Sequence, residues 1–166
     1  MNFNNQTYLF IDLDDVMVTT NQYFMNKKRW HPKYDCYPFD KKCVKILNDV
    51  CEMFNPILIL SSDWKYHYNL EQINEIFEWN KVKFKISDFT DNLMGSDYRS
   101  LQQIEKCRAF EILKYVEEHN IKNYVIIDDL NLSNWIPDNF IWCRRANEGI
   151  KQSGIKEKII IKIKSK

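Results

Sequence analysis

Three clusters in this chain of 166 residues carry residue types able to do chemistry. They are Asp12-Leu13-Asp14-Asp15, Ser61-Ser62-Asp63 and Asp128-Asp129, and each directly follows a short apolar run. Brought together, the first and last clusters would crowd five carboxylates into one place. Like charges at that range repel, so one must protonate or a cation must neutralise them. Oxygen ligands without a His or Cys cluster favour Mg2+ over zinc. A cation held by carboxylates and water is placed to meet a phosphate oxygen. Asp12 and Asp14 stand two residues apart, and at a strand end they can approach one substrate atom from different sides. One carboxylate can then attack as a nucleophile while the other hands a proton to the leaving group. Ser61, with Ser62 beside it, offers a hydroxyl and a backbone N–H to a phosphate oxygen. Arg108 or Lys106 would add a cation to the same group.

Buried strands are the elements that must position these clusters. Residues 8–11, 57–60, 124–127 and 140–142 are continuously apolar, as strands covered on both faces are. Residues 83–86 read as a further strand. Between them lie helical patterns. Asp40 caps a helix whose apolar face is Val44, Leu47, Val50 and Phe54, with Phe39 and Val44 placed for a hydrophobic staple. Further helices are predicted over about 69–79 and 101–119. Strands alternating with helices predict an α/β fold with a mostly parallel sheet and helices on both faces. In such a sheet the strand C-termini share one edge, where ligands bind. Residues 19–38 fit no period and read as an insertion or minimal cap loop, whose Trp30, His31 and Tyr34 either pack it onto the body or stack on a base. The segment 151–166 carries six lysines and one glutamate and reads as a basic tail or an edge strand guarded by lysines.

Composition excludes several functions. The three glycines, Gly95, Gly149 and Gly154, form neither a dinucleotide fingerprint nor a P-loop nor a serine-hydrolase elbow. The five cysteines are odd in number and contain no Cys-x-x-Cys, which predicts buried free thiols in a reducing compartment. The opening MNFNNQTYLF lacks the basic flank and long apolar stretch of a signal peptide. No apolar run is long enough to span a bilayer. The chain therefore reads as one cytoplasmic domain over 1–166, without a membrane partner. Its net charge of +1 leaves room for only a local basic patch.

These motifs resemble those of haloacid dehalogenase (HAD) superfamily phosphohydrolases, in the same order along the chain. YLFIDLDDV matches the nucleophile motif, ILILSSDW the phosphate-binding motif, Lys106 or Arg108 the cation, and YVIIDDLN the acidic pair. The resemblance implies a Rossmann-like HAD fold, with Asp12 as nucleophile and Mg2+ ligand. Asp14 would be the general acid and base, its backbone carbonyl on the metal. Ser61 would bind phosphate, and Asp128 would hold the metal with Asp129 in support. More narrowly, SSDWK, RAFEILKYV and IIDDLN look like the small HAD domain of Swiss Army knife RNA-repair proteins. In that pattern Arg108 aligns better than Lys106, because it lies three residues before Glu111-Ile112. Asp15 stands where many relatives carry glycine, and Lys65 where the narrower family often carries arginine.

The resulting expectation is a Mg2+-dependent phosphomonoester hydrolase working through an aspartyl-phosphate. Its substrate would be a nucleotide or a polynucleotide end, with Lys65 and Trp30 as substrate contacts. The alternative is a non-catalytic module that binds a phosphorylated ligand or nucleic acid on the same scaffold. An intact Asp12/Asp14 pair argues for the enzyme.

Overall fold

The computed structural model describes residues 6–93, 95 and 100–166. The first five residues of the opening stretch, read above as no signal peptide, lie outside the described residues. The chain forms strand β1 (Thr7–Ile11), the short helix α1 (Thr20–Tyr23), α2 (Lys41–Phe54), β2 (Ile57–Leu60) and α3 (Leu70–Trp79). Then come β3 (Ile86–Phe89), α4 (Leu101–Glu118), β4 (Asn123–Asp128), β5 (Phe140–Trp142) and α5 (Ile155–Lys164). The five strands form one sheet in the order β3-β2-β1-β4-β5, and every pairing is parallel.

Alternation along the strands divides the core in two. Leu9, Ile11, Leu58, Leu60, Val125 and Ile127 face the layer of α2, α3 and α5. Phe10, Ile59 and Ile126 face the other way, against Ala109, Ile112 and Tyr115 of α4. The chain steps outward from β1 to β2 to β3 through α2 and α3. It then returns through α4 to β4, beside β1. Crossovers of one hand put outward and returning helices on opposite faces, as found. The order therefore reverses between β1 and β4, and a crevice opens there at the strand C-termini.

Helix starts follow local chemistry. Asp40 accepts the N–H groups of Lys42 and Cys43, and Asn69 and Ser100 each form a reciprocal cap with a glutamine three residues on. Two expectations shift. The strand expected over residues 83–86 starts at Ile86 instead. The Lys83 N–H goes to the Asn48 side chain, and the Asn74 side chain takes both backbone groups of Ile86. The expected C-terminal edge strand is helix α5, with Ile155, Ile159 and Ile163 buried four residues apart and Ile161 left exposed. Residues 19–38 hold α1 and one 3-10 turn at Lys27–Arg29. Their rings pack edge to face: Trp30 on Tyr37, Tyr37 on Tyr23, and His31 on Trp79. All five cysteines are buried free thiols. Among the described residues no helix is long and apolar enough to cross a membrane.

Candidate active site

The reversal between β1 and β4 brings two of the acidic clusters together. Asp12 leaves β1 with its N–H donated to Ile127 O at 3.0 Å, and Asp128 is the last residue of β4. Asp12, Asp128 and Asp129 each offer a carboxylate oxygen, and these oxygens lie within 4.8 Å of one another. Asp12 and Asp128 are almost fully buried. Beyond Asp12 the chain folds into a tight turn in which Leu13 O accepts the N–H groups of Met17 and Val18 at 2.8 and 2.9 Å. Asp15 occupies the left-handed region at φ 54°, a conformation that favours glycine. Aspartate tolerates that region better than most residues. Gly149 supports the turn from behind. It has φ 55°, and a Cβ there would lie 2.2 Å from Val16 O.

Asp14 stands outside this trio. Its carboxylate accepts Trp64 Nε1–H at 3.0 Å and the Tyr23 hydroxyl at 3.4 Å. Burial, then the charge of Asp12, pushes its pKa up to about 6 despite those two donors. Burial likewise raises Asp128 and Asp129, with Asp12 adding repulsion to both. Three acids that resist ionisation beside Asp12 form a site short of positive charge.

Arg108 supplies part of that charge. From α4 its Nη1 reaches Asp128 at 2.9 Å and Asp12 at 3.3 Å, and its Nη2 reaches Asp63 at 2.6 Å. Burial opposes its charge, but Asp128, Asp12, Asp63 and Glu111 outweigh burial and raise its pKa further. Lys106, the other expected cation, is exposed, with Nζ 5.3 Å from the Phe110 ring. The two differ by two residues, which on a helix puts them on different faces. Ser61 follows β2 and is fully buried. Its N–H donates to Ile11 O at 3.1 Å, so the expected backbone donor is already used in the sheet. The Ser61 and Ser62 hydroxyls are buried and have no hydrogen-bond partner among the described residues, nor does Arg108 Nε.

The two expected substrate contacts are engaged elsewhere. Lys65 Nζ donates to Glu111 Oε2 at 2.6 Å, Thr90 Oγ1 at 2.9 Å and Asp91 O at 2.8 Å, so its three protons are used. Its side chain is 3% exposed. Trp30 donates Nε1–H to Met25 O at 3.2 Å and packs its ring against Tyr37. Three residues at the site escaped the sequence reading of roles: Tyr23, Asp63 and Glu111. Glu111 and Trp64 stood in the quoted motifs, but only the fold shows Glu111 holding Lys65 and Trp64 holding Asp14.

The donor set fits a hard divalent cation. It is all oxygen, it is crowded with carboxylates that resist ionising side by side, and one guanidinium offsets only part of its charge. A search of curated proteins and of solved structures returned no match. The family model described as the HAD domain in Swiss Army Knife RNA repair proteins matches residues 8–153, from the start of β1 to just before α5. That span contains every residue of the site, and the chain belongs to this family of HAD domains.

Proposed function

We propose that the protein is a Mg2+-dependent phosphomonoester hydrolase that works through an aspartyl-phosphate on Asp12. The observation that carries this reading is the division of labour between neighbouring acids. Asp12 sits among Asp128, Asp129 and Arg108, while Asp14, two residues on, is held apart with its pKa raised to about 6. Mg2+ held by Asp12, Asp128 and Asp129 would neutralise their charge and that of the phosphate. Arg108 orients Asp12, and the free Ser61 and Ser62 hydroxyls can donate to phosphate oxygens.

In the first step an Asp12 carboxylate oxygen attacks phosphorus and the ester P–O bond breaks. The leaving oxygen takes the proton from Asp14. In the second step Asp14, now ionised, takes a proton from water. The oxygen of that water attacks phosphorus, the bond to Asp12 breaks, and phosphate leaves with Asp14 protonated again. The substrate we assign is the terminal phosphate of a nucleotide or polynucleotide, in keeping with the family's link to RNA repair. Buried free thiols suit a cytoplasmic setting.

The test is phosphate release from a simple aryl phosphate, with Mg2+ and with chelator, for wild type beside Asp12→Asn. Release is expected only with Mg2+, and at least a thousandfold less from the variant, the scale on which enzymes lose rate without their nucleophile. Asp12→Asn working at the wild-type rate sinks the mechanism. Ligand-dependent thermal stabilisation with no release is what the binding-module reading predicts.

A further inference from the structure

We propose that the groove between α1, the N-terminus of α2 and the C-terminus of α3 binds the phosphodiester backbone of a single-stranded nucleic acid. The inference rests on the reading above and extends it from a terminal phosphate to the strand behind it. The groove encloses about 1140 Å³. Arg29, Lys41, Lys42, Lys81 and Lys151 line it, against the one carboxylate of Asp40. Lys151 already pairs with Asp40. The other four cations are exposed and form no ion pair among the described residues. By contrast Lys33, Lys45, Lys83, Lys114 and Lys156 each hold a carboxylate.

The position of Lys41 and Lys42 is itself informative. They are the first two residues of α2, whose first turn carries no acid. A helix N-terminus is the positive end of the dipole, so cations there cost stability. Folding alone does not favour that placement, whereas a polyanion in the groove does. Trp79 adds a half-buried ring at the groove wall, a surface on which a base can stack.

The groove adjoins the candidate active site through α1. Gln22 lines the groove, and the next residue, Tyr23, reaches Asp14. One helix with its side chains is about 10 Å across, and a stacked strand rises about 3.4 Å per nucleotide. Roughly three nucleotides therefore separate an end at Asp12 from a backbone in the groove.

The probe is a fluorescein-labelled single-stranded RNA of about 12 nucleotides, within the site sizes of known single-strand grooves. Its binding is read by anisotropy over a salt series, in the Asp12→Asn background with Mg2+ present. Lys41→Gln/Lys42→Gln is expected to weaken binding at least tenfold and to flatten the slope of log K against log salt by about 1.4, or 0.7 per cation. Arg29→Gln/Lys81→Gln should do the same. Neither pair should melt below wild type: Lys41→Gln/Lys42→Gln removes unfavourable charge from the α2 N-terminus, and Arg29 and Lys81 are exposed and hold no ion pair among the described residues. With Asp12 intact, both should release phosphate from an aryl phosphate within about twofold of wild type. Unchanged RNA binding by both double variants overturns the proposal. So does an equal loss from Lys158→Gln/Lys164→Gln, exposed on α5 outside the groove. Competition by polyglutamate as strong as that by unlabelled RNA overturns the nucleic-acid assignment. Groove-dependent RNA binding without phosphate release leaves the groove standing and removes the hydrolase, and the converse result removes the groove alone.

Discussion

Asp14 and Asp12 are two residues apart, and their surroundings differ. Asp14 keeps its proton up to about pH 6, because burial and the Asp12 charge both disfavour its anion. Protonated, it can serve as a general acid, and above that pH a growing share of molecules lacks the proton to give. The consequence depends on the leaving group. An alkyl oxide needs the proton, whereas a nitrophenolate leaves without it. For an alkyl phosphate, kcat/KM should therefore fall by up to tenfold per pH unit above about 6, while that for nitrophenyl phosphate stays nearly level. The ratio of the two rates cancels most of the phosphates' own titration. Asp14→Asn should lose about 10²–10⁴ in kcat on the alkyl ester and far less on the nitrophenyl ester. Equal losses on both would remove Asp14 from the acid role. The acids of the candidate site were legible in the sequence because each directly follows a buried apolar strand, and in a parallel sheet such positions meet. The groups that tune them were not. Tyr23 lies in a stretch without periodicity, and Asp63 resembles any acid in a turn. Their roles exist only once α1 and α4 have been folded onto the edge.

At the scale of elements, α5 shows where sequence pattern and packing part. Ile159-Ile160-Ile161 and Ile163 are β-branched, and such side chains favour strands, so an edge strand is the natural expectation. The same segment also carries Ile155, Ile159 and Ile163 four apart, and this spacing prevails. The helix lays those three on the layer already formed by α2 and α3, where a strand beside the three-residue β5 would gain little pairing. The two arrangements predict different mutational costs. In a strand, residues 159 and 161 share a face and substitutions there have similar effects. In the helix, Ile159→Ala should cost about 2–5 kcal/mol in urea denaturation, as a truncation in a packed core does. Ile161→Ala should stay within about 0.5 kcal/mol, since that side chain is 65% exposed. Similar costs at both positions would restore the strand. The shift of β3 has a related origin. Apolar alternation locates a strand but cannot show that the Asn48 and Asn74 side chains claim its first backbone groups. The helix caps, by contrast, use side chains within three residues of the groups they serve, and Asp40 was legible for that reason.

Over the whole molecule a net charge of +1 conceals a local separation of charge. Acids meet at the ends of β1 and β4, while four exposed cations that hold no ion pair among the described residues, from α1's flank, α2 and the end of α3, line the groove. The sequence pointed to the C-terminal lysines instead. There Lys151, Lys156 and Lys162 are bound to Asp40, Asp49 and Asp138 O, which fastens that end of the chain to the body. A groove assembled from four separate segments leaves no run of charge to read. The separation of charge also fixes how stability responds to pH. Asp49, Glu75 and Asp91 are held below their ordinary values, chiefly by Lys156, Lys33 and Lys114. Their contribution is present above the unfolded value of about 4 and is lost as pH falls through their folded values. Asp14, Asp128 and Asp129 are raised, chiefly by burial. Their contribution is complete below about pH 4 and is lost as pH rises through their folded values. With chelator present, melting temperature should therefore peak near pH 5 and decline toward pH 8. Mg2+ competes with protons for the same oxygens, so it should restore stability most at the alkaline end. At a hundred times its dissociation constant the gain is about 2.7 kcal/mol, or roughly 5–10 °C for a chain of this size. Asp129→Asn removes a carboxyl that folding forces to stay protonated, so in chelator at pH 8 it should melt above wild type. That advantage should vanish near pH 4, where the unfolded chain holds the same proton, and the variant should gain less from Mg2+. A variant that melts below wild type in chelator at pH 8 would show that Asp129 is held by a favourable partner rather than strained by its neighbours. Stability lost in folding and recovered on binding the cation is the behaviour expected of carboxylates arranged for a ligand.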